Sequence, residues 1–291
     1  MIREHRVPVN GRTLAVLEAG DESGQAVVAV HGTPGSGFLW RGVVEDAEAR
    51  GIRLLAYDRP GYGGSDPHPG RTVADAAGDV GAIADALGID RFAVEGGSGG
   101  GPHTLACAAL LPERVVAAAS LAGVAPYPAE GLDWLDGMGQ DNLDEFAATI
   151  AGRETLERYL RKQADALLGA EPDAIADTLR SLLSPPDAAV LTGEFAEYLA
   201  ESTRRAISER LDGWIDDDFV FVNPWGFELD EIRVPVRLLH GAQDRFVPIA
   251  HGEWLAERIP GVDAHLAAED GHLTIQLARI GEVHAWLLEH F

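Results

Sequence analysis

The chain is short of positive charge, sulfur and long apolar runs. Lys162 is the only lysine among 291 residues, and 23 Lys and Arg face 47 Asp and Glu, a formal net charge of -24. So acidic a surface repels phosphate backbones and anionic lipid headgroups, which argues against nucleic acid and membranes as partners. The missing lysines also remove a P-loop, whose glycine-rich turn ends in one. A dinucleotide fingerprint starting at Gly97 fails as well, because Pro102 stands where it needs glycine. One cysteine, Cys107, forms no internal disulfide and suits a reducing compartment. Neither H-E-x-x-H nor C-x-x-C occurs, so no metal is expected. No apolar run approaches the length of a membrane span. The charged start, Ile2-Arg3-Glu4-His5-Arg6, leads into a hairpin-like segment in place of an apolar signal core. The expected location is the cytoplasm.

What remains is ordinary globular composition, 46% hydrophobic and 24% charged. At this length a chain buries about three quarters of its unfolded surface, enough for one large domain or a domain with an inserted lobe. Val7-Pro8-Val9, Asn10-Gly11 and Thr13 to Leu17 read as two strands around a tight turn. Short apolar runs follow at Val27 to Val30, Leu54 to Tyr57, Phe92 to Val94, Val115 to Ala119, Val236 to Leu239 and Val262 to Leu266. Helical periods lie between several of them. The clearest has Thr72 and Asp75 as a capping box, Val73, Ala77, Val80, Ala84 and Leu87 at three- and four-residue steps, and Gly88 as its stop.

This alternation predicts an α/β fold with a mostly parallel sheet covered on both faces. It breaks over 125–221, where segments such as Glu154 to Leu168, Asp173 to Leu183 and Ala188 to Glu209 read as helices separated by prolines. The expected organisation is a core of 1–124 and 222–291 with a helical lobe of 125–221 inserted between two strands. Trp134, Phe146, Tyr159, Phe195, Tyr198, Trp214 and Phe219 of the lobe are candidates for a cavity lining, although aromatics at helical spacing more often form core.

The chemistry concentrates in four places. Gly96-Gly97-Ser98-Gly99-Gly100 sits between a strand and a helix, a G-x-S-x-G turn whose reversal lifts the serine hydroxyl out of the sheet. His31-Gly32-Thr33-Pro34-Gly35 is a second glycine-rich turn at the carboxyl end of a strand, the edge where open α/β sheets bind ligands. The backbone N–H groups of Thr33 and Gly99 are the candidate oxyanion donors. Asp244 ends the strand-to-loop segment Leu238 to Gln243 and is the candidate acid. His272, 28 residues further on in a loop, is the candidate base, ahead of His31, His103, His240 and His265; Asp270 is a weaker alternative acid. The order Ser98, Asp244, His272 is the one described for α/β-hydrolases and not for other serine-triad folds.

Together with Asp58-Arg59-Pro60-Gly61-Tyr62-Gly63-Gly64-Ser65 and Gly241-Ala242-Gln243-Asp244, these motifs resemble the α/β-hydrolase family over nearly the whole chain. The resemblance implies an eight-stranded-type sheet, a serine nucleophile, an oxyanion hole at Thr33 and Gly99, and a helical cap over the pocket. It implies no cofactor. Gly97 departs from the family pattern, in which a larger residue is frequent. Relatives using epoxide or haloalkane chemistry carry a carboxylate where this chain has Ser98. The expected function is hydrolysis of a small, moderately hydrophobic ester or lactone, with Phe38, Trp225 and Phe246 on the pocket wall. The alternatives are an aminopeptidase of the proline iminopeptidase type, with Glu194, Glu197 and Glu201 sharing a helix face for a free amine, and a non-catalytic ligand-binding protein on the same scaffold.

Overall fold

Asn10 and Gly11 take φ of 48° and 81°, the left-handed pair that a two-residue hairpin turn requires, and they close the first two strands of the sheet as expected. The computed structural model describes residues 2–291. Its strands are β1 (Arg3–Val9), β2 (Arg12–Gly20), β3 (Gln25–Val30), β4 (Ile52–Tyr57), β5 (Phe92–Gly97), β6 (Val115–Leu121), β7 (Val236–Gly241) and β8 (Asp263–Ala267). They form one sheet in the order β1-β2-β4-β3-β5-β6-β7-β8. Only β1 with β2 and β2 with β4 are antiparallel. The apolar runs read from the sequence fall on these strands, with Val262 alone standing one residue ahead of β8. Val262 to Leu266 maps onto the edge strand β8, whose Leu266 is exposed.

The helices are α1 (Arg41–Arg50), α2 (Asp75–Ala86), α3 (Gly100–Leu110), α4 (Gln140–Ala151), α5 (Arg153–Gly169), α6 (Ile175–Thr178), α7 (Pro185–Val190), α8 (Gly193–Ile207), α9 (Asp212–Phe221), α10 (Ile249–Ala256) and α11 (His272–Leu288). Strand side chains alternate between two apolar layers. Val28 and Val30 of β3 pack with Val80, Leu105 and Leu255 from α2, α3 and α10. Val27 packs with Ala47, Ile275 and Val283 from α1 and α11. α2 opens at Asp75 and not at residue 73, where a Thr72 cap would start it; of the expected capping box only the Asp75 half forms, its Oδ2 accepting the Thr72 N–H at 2.7 Å and hydroxyl at 3.0 Å, while Gly88 at φ 66° follows the helix end as expected.

Six helices, α4 to α9, lie between β6 and β7. The expected segment 173–183 is mostly turn, with a 3-10 turn at Pro172–Ala174 followed by the four residues of α6. The expected segment 188–209 divides where Thr192 is extended and Gly193 takes φ of 52°. No helix among the described residues is long and apolar enough to cross a membrane.

A buried ion cluster ties α9 to the connection between β4 and α2. Asp217 of α9 is fully buried, and its carboxylate accepts Arg59 Nη2 at 2.6 Å, the Tyr62 hydroxyl at 2.8 Å and Arg71 Nη2. Burial opposes the charge, but the two guanidiniums outweigh it and hold the carboxyl far below the usual carboxylate range. Removing one partner of such a cluster leaves an uncompensated buried charge. Asp217→Ala should therefore cost about 3–5 kcal/mol and lower the melting temperature by on the order of 10 °C. Calorimetry showing an unchanged melting temperature would contradict this account.

Candidate active site

Ser98 takes φ of 54°, the left-handed region that an L-residue enters at a cost of order 1–3 kcal/mol. The turn holds it there. The Ser98 N–H donates to Leu121 O at 2.8 Å, and Ser98 O accepts the Gly101 N–H at 2.9 Å. A Cβ at Gly96 would overlap Thr104 Oγ1 and Gly100 O, and one at Gly100 would overlap Val30 O, so both flanking glycines are demanded by close approach. The hydroxyl thus stands at the carboxyl edge of the sheet, beside the amino end of α3, where backbone N–H groups and the helix dipole favour negative charge.

Arg59 clamps this turn to the one at His31 to Gly35. Its Nη2 donates to Gly32 O and Thr33 Oγ1, each at 3.0 Å, and its Nη1 donates to Gly99 O at 3.1 Å. The Arg59 N–H donates to His31 Nε2 at 3.0 Å, so His31 holds loops together. Burial, reinforced by Arg59, pushes the His31 imidazole well below its ordinary range and that of His103 down to about 3, which keeps both neutral. The chain segment 58–65 had no assigned task in the sequence. Its arginine is what sets Thr33 and Gly99 side by side.

Asp244 lies in the loop after β7, its Oδ1 accepting the N–H groups of Phe246 and Val247, both at 2.8 Å. His272 Nδ1 donates to Asp244 Oδ2 at 2.7 Å, and both residues are buried. The Phe246 ring stacks on the imidazole at 4.5 Å. His272 is not in a loop. It is the first residue of α11, and the carboxylate of Asp187 on α7 accepts its N–H at 2.9 Å. Asp270 instead pairs with Arg279 at 3.2 Å. His240 Nε2 donates to Val247 O at 2.7 Å, and His265 sits on the exposed edge against Asp263.

Ser98 opens onto two chambers. The larger, about 290 Å³, is lined by Phe38, Phe195, Tyr198, Phe246, Leu273 and His272 among others. The smaller, about 120 Å³, is lined by Thr33, Gly99, Phe146, Tyr159, Glu145 and Asp218 among others. Phe38 and Phe246 therefore stand where expected. Trp225 does not. It lines neither chamber, because its carbonyl accepts the Ala74 N–H at the start of α2 and its ring stacks on Phe227 in the core. Trp134 packs in the core against His251, and Phe219 lies under Arg153. Glu194 and Glu197 point to solvent and Glu201 pairs with Arg204 and Arg205, so that helix face offers no enclosed amine site. At Gly97 a Cβ would overlap the amide oxygen of Gln276. The side chain missing at 97 is thus replaced from α11, where Gln276 Nε2 donates to His272 O at 2.9 Å.

Three carboxyls, Asp141, Glu145 and Asp218, line the smaller chamber, and no Lys or Arg among the described residues does. Burial pushes Glu145 up to about 7, with Asp141 adding repulsion against the Trp214 N–H and the carboxyl of Asp218 that bond to it. Burial and Glu145 hold Asp218 well above the usual carboxylate range. The two carboxyls bond to each other, and burial favours the neutral form of both.

A family model described as alpha/beta hydrolase fold matches residues 25–276. The pimeloyl-[acyl-carrier protein] methyl ester esterase of Nitrosomonas europaea is 30% identical, covering 86% of this chain and 89% of that protein. The 2-hydroxy-6-oxononadienedioate/2-hydroxy-6-oxononatrienedioate hydrolase of Paraburkholderia phymatum is 24% identical, covering 92% and 91%. Among solved structures, the enol-lactonase from Burkholderia xenovorans superposes with a TM-score of 0.67 at 22% identity, over 98% of this chain and all of that one.

Burial of the Glu145 carboxyl sets a pH dependence of stability. A carboxyl whose folded pKa is raised stabilises the fold below its unfolded value of 4.5 and withdraws that support as pH climbs to about 7. The melting temperature of the wild type, measured against a Glu145→Gln/Asp218→Asn double variant, should fall across that window. A difference that stays flat with pH would contradict a raised Glu145 pKa.

Proposed function

The chain belongs to the alpha/beta hydrolase fold family, and from that membership we propose that it is a serine hydrolase cleaving a small, moderately hydrophobic ester or lactone through an acyl-enzyme intermediate. Ser98 Oγ attacks the acyl carbonyl while His272 takes its proton. Asp244, bonded to Nδ1, fixes the tautomer that leaves Nε2 free to act as the base. The N–H groups of Thr33 and Gly99 receive the oxyanion, held in place by Arg59. His272 then returns the proton to the leaving group, and water repeats the sequence in reverse to release the acid. Helices α4 to α9 act as the cap that roofs both chambers.

The observation that carries this reading is one imidazole joining two requirements. His272 lines the chamber that Ser98 opens onto, and its far nitrogen is already bound to a buried carboxylate. The aromatic and aliphatic lining of the larger chamber suits an apolar substrate half. A relative named as a methyl ester esterase supports the ester bond as the one cleaved.

A fluorophosphonate probe should label Ser98, and a screen of acyl length against alcohol size should show turnover. Ser98→Ala and His272→Ala should each lower kcat by roughly 10⁵ to 10⁶, and Asp244→Asn by about 10⁴. Near-normal turnover in Ser98→Ala would sink the mechanism. Tight ligand binding with neither labelling nor turnover would favour a receptor on the hydrolase scaffold.

A further inference from the structure

An α-helix leaves its first N–H groups without intrahelical partners, and the residue just before it ordinarily supplies a side-chain oxygen to cap them. At the start of α11 that residue is Gly271, which has no side chain. The cap arrives from 84 positions earlier in the chain. Asp187 of α7, completely buried, accepts the His272 N–H on Oδ2 at 2.9 Å and the N–H groups of Leu273 and Thr274 on Oδ1 at 2.8 and 3.0 Å. Ser184 donates its hydroxyl to the same carboxylate at 2.8 Å. A Cβ on residue 271 would overlap both the Asp187 carboxylate and the Ser184 hydroxyl, so glycine there is what lets the remote cap approach.

The loop bearing Asp244 is held from the same direction. The Gly139 N–H donates to Arg245 O at 2.7 Å, Asn142 Nδ2 donates to Phe246 O at 2.9 Å, and Arg245 donates to Leu183 O at 3.3 Å. Gly139, Asn142, Leu183 and Asp187 all belong to the segment between β6 and β7. We infer that Asp187 is a positioning residue for His272, and that the helical insertion aligns the base with its acid in addition to roofing the chambers. This rests on the reading of His272 as the base. The physical link is short. His272 is the first residue of α11, so the direction of its side chain follows the path of the first helical turn, and that turn is fixed by three N–H groups on one carboxylate.

The experiment combines kinetics with a direct view of the imidazole. In Asp187→Ala, ester turnover should fall about 10²-fold in kcat with KM changed far less, and fluorophosphonate labelling of Ser98 should slow in parallel. The downfield proton resonance of His272 Nδ1–H, which reports its bond to Asp244, should broaden or vanish. Asp187→Asn keeps one carbonyl oxygen for the helix end and should recover about tenfold of that loss. Gly271→Ala should by itself reproduce much of the defect by displacing the carboxylate, yet add little in the Asp187→Ala background. A folded Asp187→Ala protein with kcat within about twofold of wild type and an intact Nδ1–H signal would overturn the proposal. If that variant does not fold, Asp187→Asn and Gly271→Ala decide by the same two readouts. A wild-type protein inert to esters and to the probe would sink the hydrolase reading, while the proton resonance would still decide the role of Asp187.

Discussion

The contact on which the rest of the molecule depends is the buried carboxylate of Asp217 between the guanidiniums of Arg59 and Arg71. Charges so deeply enclosed are tolerable only when paired and hydrogen-bonded, and here Tyr62 and Thr33 supply the remaining donors. The arrangement has a consequence beyond stability. Arg59 also donates to Gly32 O and Gly99 O, so the ion cluster that anchors α9 to the connection after β4 also sets the spacing of the two turns beside Ser98. Anchoring of the insertion and shaping of the candidate oxyanion site are one set of bonds.

The same economy recurs at the opposite wall. Phe246 stacks on the imidazole of His272, lines both chambers and contributes its N–H to Asp244. Gln276 fills the place a side chain at Gly97 would take and bonds to His272 O. The walls of the site are therefore built from residues that also hold the proposed acid and base, and reshaping either chamber disturbs their alignment. The two chambers differ in chemistry as well as size. One is largely apolar, while the other is lined by the carboxyls of Asp141, Glu145 and Asp218.

Much of this was legible in the residues. Strands such as Val27 to Val30 and Phe92 to Val94 announce themselves because a strand covered on both faces must be apolar throughout. Ser98 was legible because close backbone approach admits only glycine at 96 and 100, which leaves a pattern of letters. Asp244 and His272 were legible from their order and spacing. Asp187 was not, because its partners are backbone N–H groups, which carry no sequence identity, and its only trace is the uncapped Gly271. Trp225 was misread as pocket wall because an aromatic near a loop looks the same whether it faces a cavity or the core. The segment 188–209 was read as one helix because a single glycine at 193 barely interrupts the apolar period.

By itself the sequence determined the α/β class, the strand-turn-helix around Ser98 and the chain order of the three candidate groups. These depend on local periodicity, on turn chemistry and on steric limits that act between near neighbours. Only the tertiary structure decided that Asp244 and not Asp270 meets His272, that Arg59 bridges the two turns, that three carboxyls line the smaller chamber, and that Asp187 caps α11. Each of those is a contact between segments tens to hundreds of residues apart, whose partners are chosen by how the sheet and the insertion pack and not by anything the neighbouring residues prescribe.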